Sequence, residues 1–166
     1  MPRKDKIHDK IVSILLEVVK NDTNTYFNVK GKLPEFEVSR EFPKYTPDVH
    51  AFVKRSKDQV DVFQVWRGES TEVAVFDLLR CSMIPRVRRL HVVTAPQEKP
   101  GYSWTRKDVF NLKNTLLKLL LTPYSKNLRR MLVRNCVIEL TKEDLESYES
   151  IKKRITRWYE KGLVLK

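Results

Sequence analysis

Cysteine is scarce in this chain of 166 residues: Cys81 and Cys136 are the only two. Two thiols make neither a disulfide framework nor a cysteine-ligated metal cluster, and they predict a reducing, cytoplasmic setting. Apolar runs are short as well. None approaches the ~20 residues needed to cross a bilayer, so no membrane partner is expected. The charged start, Met1-Pro2-Arg3-Lys4-Asp5-Lys6, leads into an amphipathic segment and argues against a secretory leader. Zinc-ligand spacing, a phosphate-binding glycine loop and a Gly-x-Ser-x-Gly elbow are all missing. His8 and His91 stand at no recognisable spacing from a partner, and His50 at a strand position reads as structural before it reads as a ligand. Repeats, low-complexity segments and linkers are also lacking. Residues 1–166 therefore read as one domain, long enough to bury a core.

Positive charge is what the chain has in excess. The formal net charge is +12, a balance that points to nucleic acid or another anionic partner, or more plainly to a lysine-rich surface. The charge is unevenly spread. Residues 80–107 carry seven cations and the single acid Glu98, whereas residues 41–79 carry seven acids and five cations. An acidic island inside a basic chain suits a metal that neutralises a phosphate held by peripheral cations.

That island contains the most informative stretch, Tyr45 to Glu72. Its alternation predicts a β-hairpin with one covered face, broken at Ser56 to Gln59 and running into a helix capped by Ser70. Asp48, His50, Phe52 and Lys54 share one face of the first arm. Val60, Val62, Gln64 and Trp66 share one face of the second, opposite Asp61, Phe63 and Val65. The Asp48 carboxylate at the start of one strand can then sit beside polar groups at the end of the next, a plausible metal site.

Upstream, Ile7, Ile11, Ile14, Leu15, Val18 and Val19 predict a helix over 5–20, with Glu17 on its polar side. Residues 25–30 read as a short strand or ordered loop, and 35–40 as a strand. Downstream, Val73, Phe76, Leu79 and Met83 form the expected buried stripe of a helix ended by Pro85, and 87–95 is a strand joined to the hairpin by a crossover that favours parallel pairing. A loop spans 96–101. Thr105 and Asp108 form a capping box for a leucine-rich helix over 106–121 with a broad apolar face. A short helix over 125–133, a strand at 136–140 and a last helix capped by Thr141 with Asp144 complete the chain. The stripe of that last helix is Leu145, Tyr148, Ile151, Ile155, Trp158 and Tyr159, and Gly162 ends it.

The order helix, three strands, helix, strand, with Pro47-Asp48 opening the second strand, resembles the core of the PD-(D/E)xK nuclease superfamily, which includes restriction-type endonucleases and archaeal Holliday-junction resolvases. The resemblance covers roughly residues 5–95 and rests more on element order than on identical residues. It implies an α/β fold with a restriction-endonuclease-like core and a C-terminal helical elaboration over 102–166. It also implies magnesium- or manganese-dependent hydrolysis of DNA. In that family the Pro-Asp aspartate and a later acid bind magnesium, and a lysine two positions beyond that acid positions or activates water. Asp48 matches the first acid. The third strand reads Gln64-Val65-Trp66 where acid-x-lysine is expected; Gln64 offers an uncharged carbonyl oxygen, and Trp66 replaces no lysine. Glu17 matches the acid carried by the first helix, and Glu69 or Glu72 would supply a migrated carboxylate. The expected catalytic set is thus Asp48, Gln64, Glu17 and Glu72, and the expected metal ligands are Asp48, Gln64 and Glu69. Arg67 or Lys54 could supply a cation, although arginine cannot act as a base.

A second constellation is basic. Arg80, Arg86, Arg88, Arg89, Lys99, Arg106 and Lys107, interleaved with Tyr102 and Trp104, suit phosphate contact and base stacking. The leading expectation is a metal-dependent deoxyribonuclease. Two alternatives stay open: an inactive DNA-binding module on the same fold, and a protein-interaction subunit that forms a homodimer or docks a partner through helix 106–121.

Overall fold

The computed structural model describes residues 5–31, 47–84, 86–97, 103–119 and 137–164. The expected strand at 35–40, the helix at 125–133, most of the 96–101 loop, Tyr102 and Lys99 lie outside these residues.

Helix α1 spans Lys6–Asn21 and starts where Asp5 caps it, the Asp5 carboxylate accepting from the Ile7 N–H at 3.1 Å. Its apolar stripe buries Ile11, Ile14, Leu15, Val18 and Val19. The chain then forms β1 (Tyr26–Lys30), β2 (Val49–Val53) and β3 (Ser56–Trp66). So Tyr26–Lys30 is a strand, and the hairpin turns at Lys54-Arg55 instead of at the polar stretch 56–59, which opens β3 as its exposed end. Helix α2 (Thr71–Met83), β4 (Val87–Thr94), α3 (Arg106–Leu119), β5 (Val137–Glu139) and α4 (Tyr148–Val164) follow.

The sheet has five strands in the order β1-β2-β3-β4-β5. The first three are antiparallel neighbours; β3–β4 and β4–β5 are parallel. The expected crossover through α2 is present. Both faces of the sheet are covered, which corrects the expectation of a single covered face. On one side Val49, Ala51, Phe63, Val65 and Val93 pack with α1 and with Ile151 and Ile155 of α4. On the other, Val60, Val62, Trp66, Leu90 and Val92 pack with Ala74, Leu78 and Cys81 of α2 and Val109 of α3. Side chains that alternate along a strand then find an apolar layer on either side, and β3 reads as buried from Val60 to Trp66.

Three helical expectations change. On α2 the buried line is Ala74, Leu78 and Cys81, while Val73 and Phe76 are 44% and 50% exposed. On α3 Phe110, expected on the apolar face, is 41% exposed, whereas Val109 is buried and Leu112 and Leu116 are partly so; the side chains of Leu117 and 119–121 lie outside the described residues. The Thr141–Asp144 box is formed, with Thr141 N–H to Asp144 Oδ2 at 2.8 Å, but it caps a 3-10 turn over Asp144–Glu146. The last helix begins after it, where the Ser150 N–H donates to Ser147 Oγ at 3.1 Å, and it runs past Gly162 to Val164. Among the described residues no helix is long and apolar enough to cross a membrane.

Candidate functional site

The second strand opens at Asp48, directly across the hairpin from Gln64, because the register pairs Val49 with Phe63. Opposed residues point their side chains to the same face, here the α2 side. Two hydrogen bonds hold the pair. The Asp48 N–H donates to Gln64 Oε1 at 3.3 Å, and the Val65 N–H donates to Asp48 Oδ2 at 2.9 Å. Both side chains are largely buried, at 8% and 7% exposure. Asp48 thus sits at the carboxyl end of β3, beside the first residues of α2, where ligands of open α/β sheets commonly bind.

Three further ionisable groups converge there. His8, in the first turn of α1, places Nε2 3.5 Å from Asp48 Oδ2. The hydrogen bond to Asp48 pushes its pKa up to about 8 despite partial burial, so the imidazole is cationic at neutral pH. Glu69, just before α2, is pushed up to about 7, chiefly by burial and further by the Asp48 charge; hydrogen bonds from the Glu69 and Arg67 backbone N–H groups and the His8 charge oppose the shift. Its Oε2 is enclosed and has no hydrogen-bond donor among the described residues. Asp77, one turn into the buried line of α2, is pushed up to about 6 by burial and by Asp48, although it accepts from Trp66 Nε1 at 3.1 Å. Buried acids within reach of one another's charge are the pattern by which sites hold protons or cations. Arg67 braces the cluster from behind. It is paired with Asp5, the cap of α1, and its Nε donates to the Pro96 carbonyl at 3.1 Å.

Of the expected site residues, Asp48, Gln64 and Glu69 are brought together. Glu17 and Glu72 are not part of the group. Glu17 lies nine residues beyond His8, about 13 Å along α1 and half a turn round it. Its carboxylate accepts from Tyr148 Oη at 2.6 Å and Lys152 Nζ at 2.7 Å on α4, and the Lys152 hydrogen bond in particular lowers its pKa. Glu72 is exposed in the first turn of α2, and hydrogen bonds from its own backbone N–H and from Ser70 lower its pKa. His8 and Asp77 were missed, and periodicity carried a signal for both. His8 extends the Ile11–Leu15 line at i, i+3, i+7, and Asp77 falls on the Ala74–Leu78–Cys81 line. Trp66 is a packing residue, 1% exposed, with its ring 5.1 Å from that of Trp104.

The basic constellation divides. Arg88 is structural: its Nε and Nη2 donate to the fully buried Asp61 at 2.9 and 2.6 Å. Tyr26 Oη adds a 2.6 Å hydrogen bond to the same carboxylate. Burial alone would raise the Asp61 pKa, yet His91 and Arg88 more than offset it and hold the group ionised. Arg80 lies over the Phe76 ring, and Arg86, on the exposed rim, lies over Phe52 and donates to the Asp58 carbonyl. Arg89 is half-buried. Asp58 is six residues from Gln64 along β3, so Arg86 sits about 20 Å from the acidic cluster. Arg106 and Lys107 lie instead at the first turn of α3, whose preceding residue-pair partner Trp104 donates through Nε1 to the Glu69 carbonyl at 2.8 Å.

Among the described residues no three His, Cys, Asp or Glu side chains gather as a metal cage. Magnesium needs less: one or two carboxylates suffice, the remaining positions being filled by water. Asp48, Glu69 and the Gln64 carbonyl are the described groups that could offer it oxygen ligands, and the enclosed Glu69 Oε2, with no donor among the described residues, is the feature a cation would compensate. Searches against protein-family models, curated proteins and solved structures return no match to this chain.

Proposed function

We propose that the protein binds DNA and hydrolyses its phosphodiester bonds with a divalent cation, magnesium or manganese, held by Asp48 and Glu69 and assisted by the Gln64 carbonyl. The observation that carries this reading is the convergence of Asp48, Gln64, Glu69 and His8 at the carboxyl end of β3, with one buried carboxylate oxygen that has no donor among the described residues. The element order and the mixed sheet agree with the nuclease-like resemblance, and the net charge of +12 agrees with a polyanionic substrate. When bound, such a cation polarises the phosphate and acidifies its water. The chain's own groups do the rest. The Val65 N–H fixes the Asp48 carboxylate, and Asp48 keeps His8 protonated. His8 in turn offsets the acids and can donate to a phosphate oxygen. Arg86 would hold the duplex about 20 Å away, the length of about six base steps, and Arg80, one turn beyond Asp77 on α2, would hold it nearer the cluster.

One observation favours a second reading, DNA binding without hydrolysis. Trp66 fills the position where the resembled family carries lysine, and it is committed to the core through Asp77 and Trp104. Cleavage of labelled single-stranded, duplex and branched DNA in magnesium, manganese or EDTA decides between the two. Metal-dependent cleavage that disappears in Asp48→Ala and Glu69→Gln is the expected result. Salt-sensitive binding with no cleavage in either metal selects the second reading. Neither binding nor cleavage overturns both.

A further inference from the structure

An open cleft of about 800 Å³ lies between the amino end of α2 and the flank of α3. Its size is that of small-ligand sites. Trp104 and Leu112 supply apolar wall, Asn111 and Thr115 supply polar groups, and Glu69, Glu72 and Asp108 supply negative charge. Among the described residues no lysine, arginine or histidine lines it, in a chain of net charge +12.

We propose that this cleft receives one unpaired nucleobase of the bound strand, of the kind that carries an exocyclic amino group. The inference rests on the phosphodiester reading of the Asp48–Glu69 site and names the substrate class that site would take. Glu69 provides the continuity, since it belongs to the acidic cluster and also lines the cleft. A phosphate held through a cation at Asp48 and Glu69 would therefore place its own nucleotide at the mouth of the cleft. The lining determines which part enters. The acids, with no cation beside them among the described lining residues, repel the phosphate backbone, so the uncharged base is the part admitted. Trp104 offers the stacking surface, and it is held rigid by its hydrogen bond to the Glu69 carbonyl at 2.8 Å and by its packing against Trp66. Ionised carboxylates such as Glu72 are acceptors only, and they favour the exocyclic amino donor of cytosine over the N3–H of thymine, which lies between two repelling carbonyl oxygens. Asp108 spends Oδ2 on the Thr105 N–H and hydroxyl and the enclosed Glu69 Oε2 faces the cation site, so the exposed Glu72 carboxylate is the acceptor that a base in the cleft meets. A base inside the cleft cannot stay paired, so the substrate class is DNA with a single-stranded or extruded nucleotide at the reacting phosphate.

The test uses the full chain and probes that carry no phosphate. Deoxycytidine and thymidine are titrated in EDTA while the Trp104 indole N–H resonance, assigned with Trp104→Phe, is followed by NMR. Deoxycytidine should shift that resonance and bind about tenfold more tightly than thymidine. Thr115→Trp, at an exposed α3 position, should fill the cleft and abolish the shift. The same variant should erase an expected tenfold or greater preference for a duplex with one unpaired cytosine over a fully paired duplex. DNA binding that persists while both nucleosides leave Trp104 unmoved overturns the cleft assignment and spares the phosphodiester reading. A nucleoside response in a protein that neither binds nor cleaves DNA does the reverse. A response to spermidine and to neither nucleoside makes the cleft a cation site and overturns the proposal.

Discussion

Glu69 holds its proton to about pH 7 in the fold, against about 4.3 for an unperturbed glutamate. Between those values the folded chain binds the extra proton, so stability falls as pH rises through the window. Glu69→Gln removes the penalty. Urea denaturation should find the variant equal to the wild type near pH 4 and more stable by about 1–3 kcal/mol near pH 8, a figure reduced for the part of the group that water reaches. His8 acts with the same sign for a different reason. Its pKa is raised to about 8 by Asp48, so its share of stability is present below about pH 6.5 and is lost as pH rises through 8. In Asp48→Asn the His8 imidazole should titrate at or below about 6.5, read from its ring-proton shifts by NMR. A His8 pKa that stays near 8 would mean that Asp48 is not its partner. Asp48 was legible in the sequence because a strand start beside a hairpin exposes its geometry through alternation alone. Its histidine partner was not, since the contact joins residues forty positions apart and depends on how α1 docks.

The helices show how far apolar spacing can be trusted. On α1 the predicted stripe is the buried stripe, because apolar residues occupy only one side of it. On α2 apolar residues lie on more than one side, so two stripes satisfied the same period and only packing chose between them. Ala74, Leu78 and Cys81 meet β3 and β4, and Val73 and Phe76 turn outward. Leu78→Ala should therefore cost about 2–5 kcal/mol, whereas Phe76→Ser should change stability by about 0.5 kcal/mol or less; denaturant midpoints at constant slope check both. The capping boxes at Thr105 and Thr141 were fully legible, since their bonds are local, but the second serves a 3-10 turn, and a local motif does not say how long the helix after it will be.

Across the whole molecule, charge that is clustered in sequence separates in space. Arg88 belongs to the interior network of Asp61 and Tyr26, whereas Arg86 is exposed at the opposite end of β3 from Asp48 and Arg80 is half-buried in the last turn of α2, one turn from Asp77. Composition alone could not sort them, because a guanidinium looks the same whether it meets phosphate or a buried carboxylate. If DNA is the partner, Arg80→Ala and Arg86→Ala should each lower the slope of log affinity against log salt by about 1. Arg88→Ala should instead lower thermal stability by about 3 kcal/mol by stranding Asp61. Salt-series binding and melting curves on the same three variants separate the roles.

The pairing of α1 with α4 also has a consequence for synthesis. Tyr148 meets Glu17 across 131 positions, and Ile11 and Leu15 share their apolar layer with Ile151 and Ile155. At about 5–20 residues per second, a ribosome needs on the order of 7–26 s to deliver α4 after α1 has emerged. During that interval the nascent chain carries an uncovered apolar stripe near its first residues, and that is the period in which a chaperone would find it.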